Sequence, residues 1–293
     1  MREGKRFAVW FVFLAIVVMA GDRIGAFVCE RVLLASQFRF SRVYRGDSKA
    51  DVIVIGDSRG VHSFYAPSIE KLTGRPALNL SFNSMSLPIA EALLADYLDH
   101  NARPRMVVIE TTCVVVDRGL VSELRTYAGL SPRLEALYAR EHPRAAAAGR
   151  LFRLLRYDSE FFLRALMYLR RSDQDWINRN TIAAELAANP RGRWSPRPHQ
   201  ENLQALGRLV PMLRSRGIDV QLVIAPYHPS VMVDMNEIVQ GVGRHVPGAP
   251  VLNYADAIPQ SRYFADGVHM NADGSEVFLR MLGRDGVVVV AGR

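Results

Sequence analysis

Asp51-Val-Ile-Val-Ile-Gly-Asp-Ser58 is the stretch that decides the fold. Four consecutive β-branched apolar residues ending at Gly56 describe a short strand buried on both faces and closed by a turn. Runs of the same kind recur at 77–80, 106–110, 220–225 and 250–253, and helical patterns lie between them at 62–73, 87–100, 202–216 and 272–283. Alternation of near-continuous apolar strands with helices predicts an α/β protein whose parallel sheet is covered on both faces. Ligands in such sheets bind at the carboxyl ends of the strands, which is where Ser58 stands.

The alternation breaks at 117–200, an Arg-, Ala- and Leu-rich stretch that reads as a helical insertion ending in a loop at 191–199. The sheet resumes after it, so 51–293 reads as one domain carrying an insert, and the polar stretch 37–50 reads as a linker. Upstream, residues 1–6 are basic and 7–20 are uninterrupted apolar. Fourteen helical residues span about 21 Å, and continuing to Val28 gives about 33 Å, against a hydrocarbon core of ~30 Å. Segment 1–36 is therefore a membrane anchor with Arg2, Lys5 and Arg6 on the cytoplasmic side, or a cleaved signal peptide ending at Val18-Met19-Ala20. Apolar residues resuming at 24–28 favour the anchor. Both readings place the domain outside the cytoplasm. In the anchor reading Asp22 is a costly residue near the membrane boundary, placed where a partner helix could contact it.

Composition removes several classes. The 293 residues are 49% hydrophobic and 23% charged, which excludes general disorder and fibrous repeats. The net charge of +8 comes from 37 basic residues, of which Lys5, Lys49 and Lys71 are the lysines. The arginines are scattered and no nucleic-acid-binding motif accompanies them, so no nucleic-acid partner is expected. Cys29 and Cys113 cannot form a disulfide framework or a cysteine zinc site, and Cys113 reads as a buried small hydrophobe. His142, His199 and His245 lack ligand-type neighbours, and Gly56-Asp-Ser-Arg-Gly60 lacks the spacing of a phosphate loop. No metal and no cofactor is expected.

Two short motifs can carry chemistry. Asp57-Ser58 is equally a helix N-cap and a nucleophile beside first-turn N–H groups able to stabilise an oxyanion. Some 200 residues later, Asp266-Gly-Val-His269 precedes the last helix. A serine hydroxyl needs a general base, and the base needs a carboxylate to set its tautomer; Asp266 and His269 supply both. An Asp-Gly turn and a helix capped by Asn271 or Asp273 explain the turn without explaining the histidine.

Taken together, these motifs resemble the SGNH (GDSL-type) hydrolase superfamily, which carries GDS after its first strand and D-x-x-H before its last helix. The resemblance spans most of 51–283 and implies a flavodoxin-like three-layer sandwich, with Ser58 as nucleophile, His269 as base and Asp266 as its orienting acid. The family's oxyanion glycine falls in Asn79-Leu-Ser81-Phe-Asn83-Ser84, where the Ser81 N–H is the implied donor and Asn83 a further candidate. The family's asparagine after strand three falls near 110–113, which read Glu-Thr-Thr-Cys, so either Thr111 or Thr112 substitutes as donor or the site has lost one oxyanion contact.

Other polar residues carry weaker signals. His228, in Tyr227-His228-Pro229, follows strand four and either lines the pocket or is structural. His62 is too regularly placed on its helix to displace His269 as base. Trp176 and Trp194 offer a sugar platform or core packing. The basic, apolar N-terminus and the PYHP and F-x-D-x-x-H sequences resemble the membrane-tethered periplasmic SGNH proteins that work beside membrane-bound O-acyltransferases in exopolysaccharide acetylation. That resemblance implies a serine O-acetyltransferase or esterase acting on acetyl esters of a cell-envelope or exported polysaccharide. The alternative is a non-catalytic scaffold binding polysaccharide or the acyltransferase.

Overall fold

A computed structural model describes residues 2–117, 119–188 and 191–288. Five parallel strands form the main sheet: β1 Val52–Ile55, β2 Ala77–Asn79, β3 Met106–Glu110, β5 Asp219–Ile224 and β7 Val251–Asn253. Their order is β2-β1-β3-β5-β7, with Val52 opposite both Ala77 and Met106. Counted within this sheet alone, that is the 2-1-3-4-5 order of flavodoxin-type doubly wound folds. Side chains alternate between faces along each strand. Ile53, Ile55, Val107, Ile109, Leu222 and Ile224 join one apolar core, and Val52, Val54, Met106, Val108 and Val223 join a second on the opposite face. Each fully buried isoleucine contributes roughly 1.5–3 kcal/mol. The α/β/α expectation and all five strands hold, with ends shifted by a residue.

The helices in chain order are α1 Arg2–Ala35, α2 Arg39–Arg45, α3 Ser58–Ser63, α4 Ala66–Thr73, α5 Leu87–His100, α6 Pro132–Glu141, α7 Pro143–Leu151, α8 Glu160–Met167, α9 Ala184–Ala188, α10 Gln200–Ser215, α11 Asn236–His245 and α12 Ala272–Arg284. α5 and α10 cover the first face, while α4 and α12 cover the second. α1 is long and apolar enough to cross a membrane.

Two segments differ from the sequence reading. The expected linker at 37–50 contains α2, whose Phe40, Val43 and Tyr44 are buried. Phe38 and Phe40 enter an aromatic cluster with Phe82 and Phe161 at centroid distances of 5.1–6.0 Å. The arginines between these aromatics made the segment look solvated, but Arg39 is itself buried and Arg42 and Arg45 are half-buried. Leu124, Tyr127, Leu134 and Phe161 of the insertion belong to the first core. Finally, the expected loop at 191–199 begins with β4 Arg191–Trp194, which pairs in parallel with β6 Val231–Val233 in a separate two-stranded sheet.

Candidate active site

Ser58 is the first residue of α3, at the carboxyl end of β1. The cap and the nucleophile are neighbours rather than rivals: Asp57 caps the helix, its Oδ1 accepting from Arg59 N–H at 2.9 Å, and Ser58 occupies the first turn. Two glycines allow α3 to press against the sheet. A Cβ on Gly60 would fall 2.4 Å from Ser81 Oγ, and one on Gly56 would fall 2.8 Å from Glu110 Cβ.

His269 reaches Ser58 from a tight loop. Phe264 and Met270 form an antiparallel bridge, and Ala265 N–H donates to His269 O at 2.9 Å, so 264–270 folds back on itself. Inside it, Asp266 Oδ1 accepts from Val268 N–H at 2.8 Å and His269 N–H at 2.9 Å, while Oδ2 lies 2.8 Å from His269 Nδ1. His269 Nε2 lies 2.8 Å from Ser58 Oγ. With Nδ1–H donated to the carboxylate, Nε2 is the nitrogen left to accept the serine proton. Desolvation raises the Asp266 carboxyl, but the bonds from His269 and from the Val268 and His269 N–H groups outweigh it and hold the group well below the usual range. Asn271 is the cap of α12, its Oδ1 accepting from Gly274 N–H at 3.0 Å.

The remaining candidates separate. Ser81 N–H, the implied oxyanion donor, already donates to Asn79 Oδ1 at 2.9 Å. Thr112 is likewise committed: its N–H and its hydroxyl both donate to Glu110 Oε2. His228 is buried beneath the 264–270 loop, not in a pocket; its ring nitrogens bond Ser230 Oγ at 2.7 Å and Ser261 Oγ at 2.8 Å, and its N–H reaches Gly267 O. Asn83 is exposed and lines a cleft of about 330 Å³ with Val61, Trp176, Arg39 and Asp173. Ser58 N–H, in the first turn of α3 where no intrahelical acceptor exists, is the backbone donor this geometry offers an oxyanion.

Sequence reasoning missed the supports of the site. Arg59, beside the candidate nucleophile, is buried and donates to the carbonyls of Ala225, Pro226 (3.2 Å) and Val268 (2.5 Å). It also pairs with Glu110 at 3.4 Å and lies 3.4 Å above the Tyr227 ring. One guanidinium thus ties together the ends of β1, β3 and β5 and the His269 loop. The signal was a charged residue ending the apolar 106–110 run, readable only as a strand terminus without the fold. Burial pushes the Glu110 carboxyl up to about 7 against the pull of Arg59. His62 also belongs here: its ring lies 4.8 Å from His269 and 5.5 Å from Trp176. Burial, reinforced by His269, depresses it to about 4, so it is neutral at physiological pH.

No protein-family model and no curated protein sequence matches the chain. Among solved structures, it is similar to a candidate platelet activating factor from Streptococcus pneumonia, with 10% identity and a TM-score of 0.43 over 95% of this chain and 98% of that one. It is also similar to a candidate acylhydrolase from Bacteroides fragilis NCTC 9343, with 12% identity and a TM-score of 0.36 over 80% and 87% of the two chains.

Proposed function

We propose that the chain is an extracytoplasmic SGNH-type serine enzyme that moves acetyl groups to or from a cell-envelope or exported polysaccharide. The observation that carries this reading is the Ser58–His269–Asp266 relay, with both contacts at 2.8 Å. Ser58 Oγ attacks the acyl carbonyl as its proton passes to His269 Nε2, and Asp266 stabilises the imidazolium. Collapse of the tetrahedral intermediate expels the donor's oxygen, which takes the proton from His269. A sugar hydroxyl or water then attacks the acyl-Ser58 ester, its proton passing to His269 and on to Ser58 as the ester breaks.

Transfer to a sugar is the favoured branch. The exposed face of Trp176 beside His62 offers a platform for a sugar ring, and the exposed Asn83 in the same cleft offers hydrogen bonds to hydroxyls. The commitment of Ser81 and Thr112 leaves fewer oxyanion donors, and each missing donor lowers the rate by roughly 10²–10³. That suits a slow enzyme whose acyl donor is delivered locally, as by a membrane-bound O-acyltransferase partner. α1 as a single inner-membrane span, with Arg2, Lys5 and Arg6 in the cytoplasm, would hold the domain on the periplasmic side.

Turnover of a chromogenic acetate ester and polysaccharide acetylation in cells test the reading together. Ser58→Ala should abolish both while leaving the circular dichroism spectrum unchanged. Undiminished acetylation by that variant would move the protein to the scaffold class. A mature chain beginning at Gly21 would replace the anchor with a cleaved signal and favour hydrolysis.

A further inference from the structure

α1 keeps an exposed apolar surface from Phe7 to Val28, about 33 Å of helix, before the exposed Arg31. Asp22 lies about 9 Å inside that end, at a depth where a lone carboxylate is costly. It is not alone, and no partner helix is needed. Asp22 is buried, and its two oxygens accept the N–H groups of Arg153 and Leu154 at 2.9 and 3.0 Å. Those residues open the 3-10 turn Arg153–Tyr157, which packs on α1 closely enough that a Cβ on Gly25 would come within 3.1 Å of the Leu154 side chain. The turn is therefore held level with the apolar part of α1, below its end.

The outward side chains at this level are apolar. Leu151, Leu154 and Leu155 are exposed around the turn. α8, which also packs on α1, buries Phe161 and Ala165 inward yet exposes Leu163 (61%) and Met167 (60%) outward. A helix apolar on both sides at a protein surface has something other than water against one of them. Beside the turn, Arg23, Arg150, Arg153 and Arg156 line a cleft of about 430 Å³, with Glu30 on its wall. Arg23 pairs with Asp22 and Arg150 with Glu135 at 2.7 Å, while Arg156 Nε donates to Gly149 O, and the remaining guanidinium N–H groups of this cleft can reach toward the headgroup layer and meet phosphate oxygens.

We propose that the layer formed by the turn and α8 is seated in the outer leaflet of the bilayer that α1 crosses, with the arginine cleft holding anionic phospholipid headgroups. This rests on α1 being a membrane span. Seating fixes the domain's orientation on the membrane: Arg164 and Tyr168, at the end of α8, line the 330 Å³ cleft with Val61 and Trp176, so the cleft opens next to the seated layer.

The full-length chain in nanodiscs of phosphatidylcholine and phosphatidylglycerol tests it, using an environment-sensitive fluorophore on one accessible cysteine at a time in a Cys29→Ala, Cys113→Ala background. Labels go on Leu14→Cys, Leu155→Cys, Leu163→Cys and, on α12 across the sheet, Glu276→Cys. Spin-labelled lipid should quench the first three, the labels at 155 and 163 by about twofold or more, and spare the last. Spin-labelled phosphatidylglycerol should quench the Leu155→Cys label more than spin-labelled phosphatidylcholine does, and Arg150→Gln with Arg153→Gln and Arg156→Gln should erase that preference. Quenching at Leu14 without quenching at 155 and 163 overturns the seating while sparing the span. Loss of quenching at Leu14 overturns both. Equal quenching by the two lipids overturns the headgroup site.

Discussion

Replacing Arg59 by methionine keeps an apolar stem of similar length and removes the guanidinium that joins four segments. Glu110, wholly buried, would lose its counter-charge, and the carbonyls of Ala225, Pro226 and Val268 would lose a donor. Breaking a buried pair from one side costs about 3–5 kcal/mol, a large part of the ~5–15 kcal/mol that holds a domain folded. Most of that comes from the Glu110 carboxyl, which without Arg59 must either stay charged and unpaired or take up a proton, so adding Glu110→Gln to Arg59→Met should recover about 2 kcal/mol. Unfolding by denaturant of the detergent-solubilised full chain, followed by tryptophan fluorescence, measures all four corners of the cycle. The sign with pH is also determined. Glu110 in the folded state holds its proton up to about 7, above its ordinary 4.5, so its ionisation removes stability as pH rises across that window. Without Arg59 the folded value climbs further, and the Arg59→Met deficit should be larger near pH 8 than near pH 6. Additivity of the two substitutions within about 0.5 kcal/mol, or a deficit that shrinks as pH rises, would refute the reasoning.

Three further outcomes follow from the same geometry. His62 is depressed in the folded state to about 4 from 6.5, so the unfolded chain binds its proton first and stability is lost as pH falls through that window, by about 3 kcal/mol; His62→Gln should flatten this part of the stability–pH curve. Gly60→Ala drives a methyl into Ser81 and should cost at least about 1–3 kcal/mol, read as a lowered melting temperature, with a loss of ester turnover because α3 carries Ser58. Asp266→Asn should leave Ser58 able to react but with His269 in the wrong tautomer, lowering kcat by up to about 10⁴; a kcat within tenfold of the parent would show that Asp266 does not orient the base.

The departures share one cause. Residues 37–50 looked like a linker because arginines punctuate them, yet Arg39 is itself buried, its Nε donating to Asp173 at 2.6 Å and its Nη1 donating to Ser81 O. Ser81 looked available to an oxyanion because every residue has an N–H, yet Asn79, two positions back, captures it. His228 looked like a pocket residue because it follows a strand end, yet two serines, one of them 33 residues away, occupy its nitrogens. In each case a hydrogen-bonding group was judged free because its partner is distant in sequence or set by a local backbone angle.

What the sequence determined by itself was whatever has a period or a fixed local chemistry. Near-continuous apolar strands alternating with helices require a parallel sheet covered on both faces, Gly56-Asp57-Ser58 places a hydroxyl at the end of its first strand, and Asp266 and His269 share one short loop. Only the tertiary structure decided what those groups meet. It brought His269 to 2.8 Å from Ser58 across 211 positions, set Arg59 against Glu110, and turned Asp22 from a misplaced charge into the cap of a turn 131 residues away. Local pattern follows from backbone geometry and side-chain transfer energies along a few residues, whereas pairing between distant polar groups depends on which strands and loops end beside one another, and the order of strands in the sheet settles that.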